Sequence, residues 1–345
     1  MSLTETRVRL DVAVGDYDVI CGVKDGRFPV EGTDLNFVNI EPILDAYRRM
    51  VRNVEFDVCQ LTPTTYMIAR AMGAPYKALP IFLSRRFHHA GLICRADAEI
   101  RSPKDLEGKK VAARSYTLTT AVWTRGVLVN EYGLDAGKVT WVVNDEEHIA
   151  EFPLPPNVER VARNRSLVQM LADGEVDAAF IARKHLADLK SADQGGVLYH
   201  DLFDDAATLE AQWYARTGVF PMHALIVVKD RVLNEHPTTV RRLYDAYVRA
   251  HDDWLAGLDL PENMESTKTY RNLRKIVGSD PLPFGLAANR RSIEALRDYA
   301  LQQRLLSHPL AIEDMFVDYD NSISLNDARD DALAAAGQSQ FQARQ

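Results

Sequence analysis

Ser84-Arg85-Arg86-Phe87-His88-His89, set between the apolar runs 78–82 and 91–94, and Arg114-Ser115-Tyr116-Thr117-Leu118-Thr119-Thr120, which follows the run 110–113, are the two pieces of sequence on which the fold turns. Each gathers cations, imidazoles or hydroxyls where a short strand is expected to end. An α/β protein holds small ligands at the carboxyl ends of its strands. The second piece runs straight into a helix carrying Trp123 and Arg125. The rest of the chain reads as the scaffold that brings these two strand ends together.

Working outward, strands are expected at 7–14, 35–40, 56–59, 78–82, 91–94, 110–113, 139–143, 177–181 and 197–200. Between them, apolar residues at helical spacing mark a helix after Glu41-Pro42, Thr62-Pro63-Thr64 caps another, and Gly133 and Gly174 end helices over 119–132 and 166–172. Strands that alternate with helices build a mostly parallel sheet covered on both faces. From Arg231 onward the chain is mostly helical, and it ends in an acidic stretch. Two extended runs, 91–95 and 219–228, read as hinge crossings between two α/β halves. The expected architecture is therefore α/β, with two doubly wound lobes joined by two extended crossings. Lobe 1 comprises residues 1–94 and 225–345, lobe 2 residues 95–224, and a ligand cleft lies between them.

The 345 residues suit two domains, and 46% apolar with 26% charged residues is an ordinary globular balance. A net charge of −8 argues against a nucleic-acid surface, which needs a basic footprint. No apolar run reaches the roughly 18 residues that a membrane span requires. Cys21, Cys59 and Cys94 form neither a disulfide framework nor a zinc pattern. The start, Met1-Ser2-Leu3-Thr4-Glu5-Thr6-Arg7, shows no basic region followed by an apolar one, so a cytoplasmic protein is expected. No GxGxxG follows a strand, and there is no phosphate loop or GxSxG elbow. Neither HxH nor HExxH spacing occurs, and the reading assigns no metal and no cofactor. It leaves the oligomeric state open.

Longer motifs extend these signals: Asp105-Leu106-Glu107-Gly108-Lys109-Lys110-Val111, Val122-Trp123-Thr124-Arg125-Gly126, Asp145-Glu146-Glu147-His148-Ile149-Ala150-Glu151-Phe152, Gly218-Val219-Phe220-Pro221-Met222-His223 and Asp280-Pro281-Leu282-Pro283-Phe284-Gly285-Leu286. With Ser84–His89 they span nearly the whole chain. Together they resemble the type 2 periplasmic binding protein superfamily and, within it, 4,5-dihydroxyphthalate decarboxylase-like proteins. His88 stands where the family pattern leads one to expect an Arg. The resemblance implies a decarboxylase of a hydroxylated aromatic dicarboxylate. A non-catalytic solute-binding protein for a small organic acid is the competing reading, because one fold serves both tasks.

Loss of carbon dioxide from a hydroxylated benzoate needs a proton at the ring carbon and a partner for the hydroxyl. Arg85 and Arg114 are the candidate carboxylate clamps, since guanidinium meets carboxylate with two parallel hydrogen bonds. Ser84, Tyr116 and Thr119 can donate to ligand oxygens, and Arg125 is a further candidate. Arg86 reads as a solvated residue. Among nine histidines, His89, His148 and His223 are the candidate proton donors. Glu147, beside His148, can orient an imidazole.

Overall fold

The computed structural model describes residues 7–163, 165–181 and 198–319. Its first sheet holds β1 (Val8–Ala13), β2 (Thr33–Phe37), β3 (Val58–Leu61), β4 (Tyr76–Arg85) and β11 (Met222–Lys229), in the order β2-β1-β3-β11-β4. Strand β1 pairs in parallel with β2 and β3, whereas β11 runs antiparallel between β3 and β4. The second sheet holds β5 (Leu92–Arg95), β6 (Lys110–Ala113), β7 (Thr140–Val143), β8 (Val158–Arg160), β9 (Ala178–Phe180) and β10 (Tyr199–Asp201). Its order is β10-β5-β9-β6-β7-β8, parallel from β9 to β8 and antiparallel at β5. The α/β class and the two sheets follow from the alternation of short apolar runs with helices.

The runs read as hinge crossings are sheet strands instead. Buried backbone needs ladder partners; β5 finds them in β9 and β10, and β11 fills the gap between β3 and β4. The chain passes between the sheets over the shorter stretches 86–91 and 218–221. These touch: Arg86 N donates to Pro221 O, and the rings of Phe87 and Phe220 lie 5.0 Å apart.

One apolar cluster continues from sheet to sheet, joining Phe56, Cys59 and Leu61 to Val111, Trp141 and Val143. The helix Thr119–Tyr132 lies in it, nearly all its first ten residues buried, and Gly133 ends it at φ 67°. It packs on the helix Leu286–Gln302, where Tyr299 meets Trp123 edge-on at 5.7 Å. No helix among the described residues is long and apolar enough to cross a membrane.

Candidate active site

Side chains alternate across a strand, and this decides the fate of the two adjacent arginines. Strand β4 continues through Arg85, so that side chain turns into the core. Its Nη1 donates to Phe220 O at 2.6 Å, and the guanidinium lies over the rings of Phe82 and Phe220. Nε and Nη2 have no partner, and burial pulls its pKa down to about 9. Arg86 turns the other way. Its Nη2 donates to Thr120 Oγ1 at 2.9 Å, and burial alone lowers its pKa, with no carboxylate opposing.

Arg86 and His88 form one wall of a cavity of about 990 Å³. The other walls are strand ends and helix starts of the second sheet: Arg114 after β6, Asn144 after β7, Thr120 and Thr124 on the helix Thr119–Tyr132, and Ser166 and Gln169. Phe87, Leu118 and Phe180 supply apolar surface. The cavity therefore lies where strands of the second sheet end.

Behind His88 stands His223, at position two of β11. The two Nε2 atoms are 2.7 Å apart and the ring centroids 4.6 Å. Burial, then like charge between the rings and from Arg86, pushes His88 well below the ordinary imidazole range. Burial and Arg86 do the same to His223. Both are neutral at pH 7.

Arg114 is half-exposed and donates from Nη2 to Asp145 Oδ2 at 2.8 Å. Asp145 also pairs with Arg48 at 3.2 Å and Arg163 at 3.1 Å. Burial would raise its pKa, but the hydrogen bonds from Arg114 and the Glu146 amide, with the charge of Arg48, outweigh that and hold it low.

The remaining sequence candidates do not line the cavity. Glu147 is buried and accepts from Tyr116 N at 2.7 Å, Thr117 N at 3.0 Å and the Thr117 hydroxyl. It fixes the turn that sets Thr119–Tyr132 against the site, and is too committed to orient an imidazole. Tyr116 is buried beneath Arg125, 3.9 Å from its ring centre. Arg125, fully buried, also faces Trp141 and donates from Nε to Gln303 Oε1 at 2.8 Å. Burial draws it down to about 10. Thr119 Oγ1 lies 2.6 Å from Thr64 Oγ1, and His148 Nδ1 is 2.7 Å from Thr65 Oγ1, so both tie the helix Pro63–Ala71, which follows β3, to segments that follow strands of the second sheet. Burial, then Arg48, lowers His148 to about 4. Ser84 is half-buried in β4 opposite Ala224. His89 faces away, among Tyr132, Phe203 and Trp213, beside a separate cavity of about 160 Å³.

Of the sequence candidates, then, Arg114 lines the main cavity and His223 stands one ring behind it. Arg86, His88, Thr120, Thr124, Asn144 and Gln169 were missed. Carrying β4 on from 82 to Arg85, as the structure does, turns Arg85 into the core and leaves Arg86 at the cavity. Among the described residues no group of three or more His, Cys, Asp or Glu side chains could hold a metal ion.

Residues 36–343 match a family model described as the periplasmic substrate-binding protein of a phosphonate ABC transporter. The chain is 31% identical over 330 residues to a 4,5-dihydroxyphthalate decarboxylase of Comamonas testosteroni, covering 89% of this chain and 98% of that protein. A 4,5-dihydroxyphthalate decarboxylase of Pseudomonas putida is 33% identical over 203 residues, 56% of this chain and 78% of that one. Among solved structures, a putative periplasmic sulfonate-binding protein of Methylobacillus flagellatus KT superposes with a TM-score of 0.54 at 15% identity. It covers 93% of this chain and 94% of its own. The periplasmic description of the family overturns the cytoplasmic location expected from the sequence.

Proposed function

This chain belongs to the 4,5-dihydroxyphthalate decarboxylase-like proteins of the periplasmic substrate-binding superfamily, and on that premise we propose that its main cavity decarboxylates a hydroxylated aromatic dicarboxylate of the 4,5-dihydroxyphthalate type. The observation that carries the reading is Arg86: a cation without a carboxylate partner among the described residues, on the same wall as an imidazole. The ligand site assigned to the space between the two lobes corresponds, in this reading, to that cavity at the crossings.

In the reaction the bond between ring and carboxylate breaks, its electron pair stays on the ring carbon, and that carbon takes a proton while carbon dioxide leaves. A guanidinium clamped on the departing carboxylate would stabilise the ground state and slow the step. A second carboxylate removes the conflict. Arg86, assisted by Arg114, holds the one that stays, and the departing one faces the apolar surface of Phe87, Leu118 and Phe180. His88 delivers the proton, a positioned acid contributing about 10²–10⁴-fold. Thr120, Thr124 and Asn144 are placed to partner the ring hydroxyls.

The family model favours a second reading, capture of a small acid without turnover. Incubating the protein with 4,5-dihydroxyphthalate and following protocatechuate separates the two. The enzymatic reading expects product with one carbon dioxide released for each substrate consumed; tight binding with no product at any pH leaves capture alone.

A further inference from the structure

The contact between His88 and His223 has a consequence for how a charged ligand enters. At 2.7 Å between Nε2 atoms, two N–H groups cannot face each other, so the neutral pair holds one hydrogen in that contact. His223 also makes a hydrogen bond to the main chain of Arg86 that favours its protonated form. With Nε2 facing His88, that bond falls to Nδ1–H, donating to the Arg86 carbonyl. His223 Nε2 is then the acceptor and His88 Nε2–H the donor. His88 is left with a bare lone pair at Nδ1, the edge that remains for the cavity it lines.

Resting on the decarboxylase reading, we propose that the cavity takes up an aromatic dicarboxylate together with one proton, and that the proton lodges at Nδ1 of His88. The groups that face this imidazole are His223 from β11 and Arg86 and His89 from its own segment, and Arg85 of β4 faces its partner His223; every one is a cation or a neutral ring. In the empty cavity all of them oppose a further positive charge. A ligand bearing two carboxylates reverses the sign of the local field, and an adjacent opposite charge favours the charged form by about 1–3 pKa units. The pair then holds three N–H hydrogens, and the one at Nδ1 of His88 is in position for the ring carbon. Transfer balances: the carbon gains the proton, carbon dioxide departs neutral, and His88 returns to its bare Nδ1.

Linkage fixes the sign. The imidazole titrates low in the free protein and higher in the complex. Affinity is therefore constant below the free pKa, falls as pH rises between the two, and levels off above the bound one.

The test is titration calorimetry with phthalate, which has both carboxylates and no hydroxyl, in buffers of differing ionisation enthalpy. The expected result inside the linkage window is uptake of about one proton per phthalate bound, with affinity falling about tenfold per pH unit. In His88→Asn, phthalate should still bind through Arg86 while the uptake disappears. Binding without proton uptake anywhere between pH 5 and 8, uptake unchanged in His88→Asn, or no phthalate binding would each overturn the proposal. Turnover of 4,5-dihydroxyphthalate without uptake removes this inference alone. Uptake without turnover removes the enzymatic reading alone.

Discussion

Arg86 is exposed at the crossing and has no carboxylate partner among the described residues, so its charge is free to meet an incoming anion. Arg114 differs, because it already pairs with Asp145, which it shares with Arg48 and Arg163, and half of its side chain meets solvent. The two should respond unequally to truncation. Arg86→Ala is expected to weaken phthalate binding by about 1–3 kcal/mol, more than a fully exposed ion pair and less than a buried one. Arg114→Ala should cost about 1 kcal/mol or less, as for exposed ion pairs. Calorimetric dissociation constants for the two variants check the ranking, and a larger loss from Arg114→Ala would move the anion site towards β6. Arg85→Ala should instead lower stability, because its stem and guanidinium fill the space between Phe82 and Phe220.

The helix Thr119–Tyr132 carries Thr120 and Thr124 to the cavity and presents its other face to the helix Leu286–Gln302. Their contact is closest at Gly126, where a Cβ would come within 2.0 Å of the Tyr299 ring. Gly126→Ala gains helix propensity but forces that ring aside, and overpacking of this kind costs about 1–3 kcal/mol. A fall in the urea midpoint at unchanged m-value checks it; a rise would mean that Tyr299 moves freely. This helix was legible from Gly133, which ends it, and β6 from four residues. The site was less so. Reading β4 as ending at 82 instead of Arg85 hid the direction in which Arg86 points, since a strand end shows no break in composition there. Strand β8 escaped notice because Val158–Arg160 is a short, largely exposed edge strand and so lacks apolar alternation. The partnership of His88 with His223 joins positions 135 residues apart, and no local pattern reports such a contact.

At the scale of the whole molecule, four imidazoles lie at or near the junction of the two sheets: His88, His89 and His148, which are buried, and His223, which is partly buried. Burial is the first cause of the downward shift in each, to about 4 for His89 and His148. The unfolded chain binds protons at these rings from about pH 6.5, whereas the folded chain does not until well below that. Their contribution to stability is therefore complete above about pH 6.5 and is lost as pH falls towards 4. For His148 the loss is on the order of 2–3 kcal/mol across that window. His251 has the opposite sign: burial pulls it down, but Asp280 and Asp252 outweigh burial and raise it. Its contribution is complete below about pH 6.5 and fades as pH rises through its folded pKa. Because one apolar cluster runs through both sheets, the loss should register as a single transition moving as a whole. Urea midpoints taken from pH 7.5 down to pH 4.5 should fall steadily, with fluorescence and circular dichroism tracing the same curve. His148→Gln should make that decline shallower, because one of the acid-sensitive rings is then absent from both states. Midpoints that stay level over this range would mean that these rings are hydrated in solution, and two separated transitions would mean that the sheets unfold independently.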